Sequence, residues 1–120
     1  MNLLNTYKNN RVIFFVDLDK TNGLGHLKRI IKFSLIFDKF EKTIISEKKI
    51  KLSNFKTISL KNFYKKKKYY NFGVIDNYNI DFETEKKIKS KVFKLISIDD
   101  NYDRKYCCDF LINYNPLINK

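Results

Sequence analysis

Val12-Ile13-Phe14-Phe15-Val16 is an unbroken apolar run that stops at Asp17. A strand that is apolar on both faces must be covered on both faces, which is the situation of an inner strand in a parallel sheet. The run leads through Gly23-Leu24-Gly25-His26 into a segment, Leu27 to Phe40, where Leu27, Ile30, Ile31 and Leu35 recur at helical spacing with Ser34 among them. Lys28, Lys32 and Lys39 fall on the opposite, water-facing side, and a helix is expected from about Gly25 to Lys39. Two of the three glycines and the single histidine of the chain lie in this turn. A strand-to-helix turn of this kind sets backbone N–H groups and a positive helix end beside whatever binds there.

The alternation continues. Thr43–Ser46 and Lys56–Leu60 read as short strands, with a charged turn or short helix over 47–52 between them. Lys61–Tyr70 reads as a helix and Phe72–Asp76 as a strand that again ends on an aspartate. Asp81 is a helix N-cap, followed by Glu83 and Glu85 and then by Lys86, Lys87 and Lys89, the charge order that suits the helix dipole. Val92–Ile98 is a strand closing on Asp99-Asp100, and Asp109–Asn113 is a last strand before Pro116. Strand and helix in turn predict a three-layer, Rossmann-like α/β domain with a mostly parallel sheet over residues 11–120, after a lead-in at 1–10. Ligands of such sheets gather at the carboxyl ends of the strands. Asp17, Asp76, Asp99, Asp100 and Asn113 fall at those ends, on the rim that also carries Gly23, Gly25 and His26.

The length of 120 residues and 43% hydrophobic content fit one globular domain with its own core. No apolar stretch approaches the ~20 residues that span a bilayer, and residues 1–10 lack the apolar core of a cleaved signal, so no membrane partner and a cytoplasmic location are expected. The net charge of +12 raises the question of nucleic acid, but the basic excess is lysine, with Arg11, Arg29 and Arg104 as the arginines. Nucleic acid is not the expected partner, because no helix-turn-helix, zinc-finger or RNA-stacking motif accompanies the charge. The run Lys65–Lys68, flanked by Tyr64 and Tyr69-Tyr70, could hold RNA; charge runs are more often a solvated helix end. Cys107 and Cys108 lack the spaced partners of a metal site and read as reduced cysteines at the start of a buried strand.

Gly23-Leu24-Gly25-His26 matches the dinucleotide fingerprint in part. Lys28 stands where its third glycine belongs, and no acidic residue closes the strand at Thr43–Ser46. His26 and Arg29 lie one helical turn apart, able to approach an anionic ligand together. A neutral imidazole at a helix start can act as a general base, and it can equally cap its own helix.

Five blocks now stand in order: Asp17, Gly23-Leu24-Gly25-His26-Leu27-Lys28-Arg29, Val74-Ile75-Asp76-Asn77-Tyr78, Ser97-Ile98-Asp99-Asp100, and Cys108-Asp109-Phe110-Leu111-Ile112-Asn113-Tyr114-Asn115. Together they resemble the UDP-sugar hydrolases of pseudaminic acid biosynthesis, which remove UDP from UDP-2,4-diacetamido-2,4,6-trideoxy-β-L-altropyranose. The resemblance runs from about Arg11 to Pro116 and implies the N-terminal half of a B-type glycosyltransferase fold. It implies His26 as the residue that helps activate water at the anomeric carbon. Asp17, Gly23, Gly25, Arg29, Asp76, Asn77, Tyr78, Asp99, Asp100 and Asn113 would be the substrate-facing residues. No metal or other cofactor is implied. Most of the grip on UDP belongs in that family to a second domain, so a separately encoded C-terminal half is the implied partner. The chain departs from the family pattern at Phe15, Asn77, Asn79 and Tyr106, where the family has arginine, histidine, glycine and histidine. Two other readings stay open: a noncatalytic domain that keeps the sugar-facing rim, and a basic RNA-associated protein.

Overall fold

A computed structural model describes residues 10–16, 23–47, 52–77, 80–98 and 105–113, with the side chains of 23–26 excepted. Six strands form one sheet: β1 (Arg11–Val16), β2 (Glu41–Ile45), β3 (Phe55–Ile58), β4 (Tyr70–Asp76), β5 (Val92–Ile98) and β6 (Phe110–Ile112). Their order is β3-β2-β1-β4-β5-β6 and every neighbouring pair is parallel. Three α-helices lie between them: α1 (Gly23–Phe33), α2 (Leu60–Lys65) and α3 (Phe82–Lys89). The fold is the expected three-layer, Rossmann-like α/β arrangement, with an all-parallel sheet. Among the described residues no helix is long and apolar enough to cross a membrane.

The apolar run of β1 is what divides the core in two. Val12, Phe14 and Val16 point to one face, where Ile44, Val74, Ile96 and Ile98 meet Ile30 and Phe37 from the α1 side. Ile13 and Phe15 point to the other, where Ile75, Leu95 and Tyr70 meet Phe63 of α2 and Ile88 of α3. Each of these five β1 residues is at most 6% exposed, as the central strand of a parallel sheet requires. Gly73 of β4 has a packing role that sequence patterning does not reveal. A Cβ there would come within 3.1 Å of side-chain carbons of both Leu95 and Val92.

The second face is specified locally. Ser59 caps α2 by accepting the Asn62 N–H, and Asp81 caps α3 by accepting the Thr84 N–H at 2.8 Å, as expected of Asp81. Helix α2 ends at Lys65, sooner than the expected Tyr70, because Lys66 turns to an extended conformation and Tyr70 already belongs to β4. Its last carbonyls are satisfied by Lys91, whose Nζ donates to the carbonyl oxygens of Phe63, Tyr64 and Lys66 at 2.7–2.9 Å. The lysine run thus begins on the last helical residue and continues into the connection to β4, with Lys65, Lys66 and Lys67 exposed and Lys68 paired to Glu41 at 2.8 Å.

The first face departs from the sequence reading. Helix α1 begins at Gly23, two residues before the expected start, so Gly23 and Gly25 belong to its first turn rather than to a preceding loop. After Phe33 the chain tightens into a 3₁₀ turn, Ser34–Phe37. Residues three apart eclipse one another in that geometry. Ser34 and Phe37 therefore share the buried side, and Leu35 and Ile36 turn out to 72% and 69% exposure. The expected core stripe of Leu27, Ile30, Ile31 and Leu35 is corrected accordingly. Ile30 is fully buried, Ile31 is 39% exposed, and Phe37 takes the place assigned to Leu35. Phe37 lies 5.3–6.1 Å, centroid to centroid, from Phe14, Phe33, Phe40 and Phe72.

Of the remaining strand assignments, β5 keeps its expected bounds and β6 is shorter by a residue at each end. Cys107 and Cys108 are free thiols but are half-exposed and precede β6, so they are not in a buried strand. The expected turn or short helix at 47–52 lies largely outside the described residues.

Candidate functional site

In strand order 3-2-1-4-5-6 the chain runs outward in both directions from the pair β1 and β4. The connections leaving these two strands therefore diverge, and a crevice opens between their carboxyl ends. The last residues of the two strands, Val16 and Asp76, are in register across it. Helix α1 is the connection leaving β1, so its amino end borders the crevice.

Asp76 is completely buried, and a carboxylate in that position requires a partner. Arg29, on α1, supplies it. Its Nε donates to Oδ2 at 2.8 Å and its Nη2 to Oδ1 at 2.5 Å, a bidentate pair in which the arginine side chain keeps 22% of its surface. The contact joins residues 47 positions apart and ties the helix that leaves β1 to the end of β4. Asp76, expected on the rim, and Arg29, expected to face an anionic ligand beside His26, are thus brought into direct contact. The guanidinium directs two of its N–H groups at Asp76, so the pair acts as a clasp between α1 and the sheet.

The clasp fixes the height of α1 above the strand ends. The backbone N–H groups of Gly23, Leu24 and Gly25 precede the first intrahelical hydrogen bond, at the end of α1 that follows β1. Glycine at positions 23 and 25 puts no side chain between that backbone and a ligand. The backbone of His26 is in this first turn, three residues before Arg29 on the same helix; its side chain lies outside the described residues.

The register carries the rim further. Ile75 pairs with Ser97 and Ile98 with Ile112, so Asp76, Ile98 and Ile112 form the last row of three consecutive strands. Asn77 and Asn113, the next residues after β4 and β6, are both half-buried and follow strands two ladder spacings apart, roughly 10 Å. Asp17, Tyr78, Asp99 and Asp100 lie outside the described residues.

Two features at the amino end of β6, away from this rim, were not legible in the sequence. Glu85, which reads as a first-turn acid of α3, is fully buried and accepts the Cys107 N–H at 2.9 Å, tying α3 to the segment before β6. Asp109 accepts the Leu95 N–H at 2.7 Å and a Lys89 N–H at 2.9 Å, extending the β5–β6 ladder through a side chain. The Lys89 ammonium, with the Leu95 amide behind it, holds the Asp109 carboxyl below its ordinary range. Burial, reinforced by Glu85, pushes the Cys107 thiol up, and burial does the same for Cys108. Both therefore stay protonated at neutral pH and are poor nucleophiles.

The amino ends of the strands differ in chemistry. There Glu41 meets Lys68 at 2.8 Å, Lys56 at 3.4 Å and Arg11 at 4.0 Å, and its carboxyl is lowered chiefly by the hydrogen bond from Lys68. The carboxyl rim joins a buried arginine–aspartate pair to the amino end of α1; the amino edge joins one glutamate to two lysines and an arginine. Neither a family model, nor a curated protein, nor a solved structure matches the chain.

Proposed function

We propose that the chain forms the sugar-side half of a UDP-sugar hydrolase. The substrate is a diacetamido-trideoxy-hexose nucleotide of pseudaminic acid biosynthesis, and the location is cytoplasmic. The observation that supports the reading best is the Arg29–Asp76 clasp across the β1–β4 crevice, which holds the turn Gly23–His26 at the strand ends. In this reading the imidazole of His26 takes a proton from water. The water oxygen bonds to the anomeric carbon from the face opposite UDP, and the bond from that carbon to the phosphate oxygen breaks with its electron pair leaving on UDP. The first-turn amides Gly23 and Gly25 and the asparagines Asn77 and Asn113 would hold the sugar. Asp17, Tyr78, Asp99 and Asp100 would complete the rim. A separately encoded half would grip the UDP.

The test is UDP release from UDP-2,4-diacetamido-2,4,6-trideoxy-β-L-altropyranose by the chain combined with a polypeptide that supplies the UDP-binding half. Turnover by the pair and its loss in His26→Ala are expected. Equal turnover with alanine at position 26 would refute the assigned role.

One observation favours a second reading, a noncatalytic domain with the same rim. The guanidinium of Arg29 is directed at Asp76, which leaves less of it for a phosphate. Calorimetry separates the two. Heat of UDP-sugar hydrolysis by the chain combined with the UDP-binding half supports the hydrolase half, and none from the combined pair supports the noncatalytic domain.

A further inference from the structure

The end of the sheet opposite the rim collects cations. Helices α2 and α3 each run from the carboxyl end of one parallel strand to the amino end of the next, so both finish at the amino edge. Lys91 joins the two finishes. It stands two residues after α3, its Nζ donates to the last carbonyls of α2, and its own carbonyl accepts the Tyr70 N–H at 3.2 Å. Beside it lie Lys65, Lys66 and Lys67, all exposed and none paired with a described residue.

The acids that reach this edge are taken. Glu41 holds Lys68 and Lys56, and Asp109 holds Lys89. Asp38 closes the 3₁₀ turn, on the α1 side of the sheet. Residues 1–9, which precede β1, contain no aspartate or glutamate, so they bring no anion to the three lysines.

Two aromatic rings accompany the charge. Tyr69 is 51% exposed and Phe93 63%, and the Lys94 ammonium stands 5.2 Å from the centre of the Phe93 ring. Tyr70 and Val92 are register partners, so Tyr69 and Phe93 occupy diagonal positions on neighbouring strands, roughly 8 Å apart along the backbone. Lysines meet phosphates without reading a base, and an exposed ring stacks on any base. A surface that combines the two holds a single strand whatever its sequence, and it needs no recognition helix. A duplex, whose bases are stacked on one another, would use the lysines and leave the rings idle. We propose that the amino edge binds single-stranded nucleic acid through Lys65, Lys66, Lys67, Tyr69 and Phe93, at a site separate from the carboxyl rim and independent of the activity proposed there.

Fluorescence anisotropy of labelled oligouridine titrated with the full chain, from about 50 to about 200 mM salt, is the test, run in parallel with oligothymidine. Binding of either supports the proposal, and the tighter of the two names RNA or DNA as the ligand. At a log–log slope of about −0.7 per lysine, the three lysines contribute about −2, so the fourfold rise in salt should weaken binding about twentyfold. The triple variant Lys65→Gln/Lys66→Gln/Lys67→Gln should remove that share of the slope. Tyr69→Ala and Phe93→Ala, at exposed positions, should remain folded by circular dichroism. Each should weaken binding about fivefold or more and leave the slope unchanged. No binding of either oligonucleotide at about 100 μM chain and about 50 mM salt would overturn the proposal, as would a slope unchanged in the triple variant. Undiminished affinity in both ring variants, or a duplex bound more tightly than either single strand, would overturn the single-strand assignment.

Discussion

The two faces of the sheet are held by different means. Behind β1, β4 and β5, α2 and α3 are specified close to home: each has a side-chain cap at its amino end, and Lys91 closes the last carbonyls of α2. In front, α1 has no acidic residue in its first turn, opens on two glycines, and loses its α geometry after Phe33. Its position depends on two long-range devices, the Arg29–Asp76 clasp and the ring cluster around Phe37. A helix placed by tertiary contacts rather than local signals can have a glycine-bearing end. A glycine-bearing helix start beside the strand ends is what a ligand site at the crevice needs.

This contrast is breakable at its strongest point first. Arg29→Ala leaves the buried Asp76 carboxylate without its bidentate partner and should cost about 3–5 kcal/mol, a large share of the stability of a domain this size. Urea unfolding followed by circular dichroism measures it. A loss under about 1 kcal/mol would mean that the clasp does not hold α1. Next, Phe37→Ala should cost about 3 kcal/mol, whereas Leu35→Ser, two residues away, should stay within about 0.5 kcal/mol. The reverse ranking would return Leu35 to the core and undo the 3₁₀ assignment. Smaller again is Ser59→Ala on the other face. It removes one cap and should cost about 1 kcal/mol, since the local signals there support one another.

The pH dependence of stability sharpens the comparison of the sheet's two ends. The carboxyls of Glu41, Asp109 and Asp81 all lie below their ordinary values in the folded chain. The first-named cause is the hydrogen bond from Lys68 for Glu41, that from Lys89 for Asp109, and that from Thr84 for Asp81. A depressed carboxyl favours the folded state above its unfolded pKa, and that contribution disappears as the pH falls through the folded value. Stability should therefore be level above about pH 5 and decline below about pH 4, near the ordinary carboxyl values. Glu41→Gln should reduce the size of that decline. An undiminished decline in Glu41→Gln would show that the lysine cluster at the amino edge does not act through Glu41.

What the sequence disclosed follows the same division. The run Val12–Val16, the Asp81 cap and the strand Val92–Ile98 are local patterns, and each reads correctly because its cause lies within a few residues. Asp76 is legible as a rim residue and Arg29 as a partner of His26, but their contact is not, because nothing within one segment predicts a partner 47 residues away. Leu35 was misassigned for a related reason: a 3.6-residue period was extended through a stretch where the pitch changes. Phe33 and Phe37, four apart and followed by Phe40, were the available signal. Glu85 was hidden by its own plausibility as a dipole-favouring acid, and its burial comes from the segment ahead of β6.

The central claim is that the turn Gly23–His26, held by the clasp, faces a sugar nucleotide at the β1–β4 crevice. Its most direct test is an amide NMR titration of the ¹⁵N-labelled chain with UDP-2,4-diacetamido-2,4,6-trideoxy-β-L-altropyranose. The account predicts shifts at Gly23, Gly25, His26, Asn77 and Asn113, with Lys65–Lys68 unchanged. Shifts confined to Lys65–Lys68, or none at the carboxyl rim with the nucleotide sugar in large excess, would contradict it.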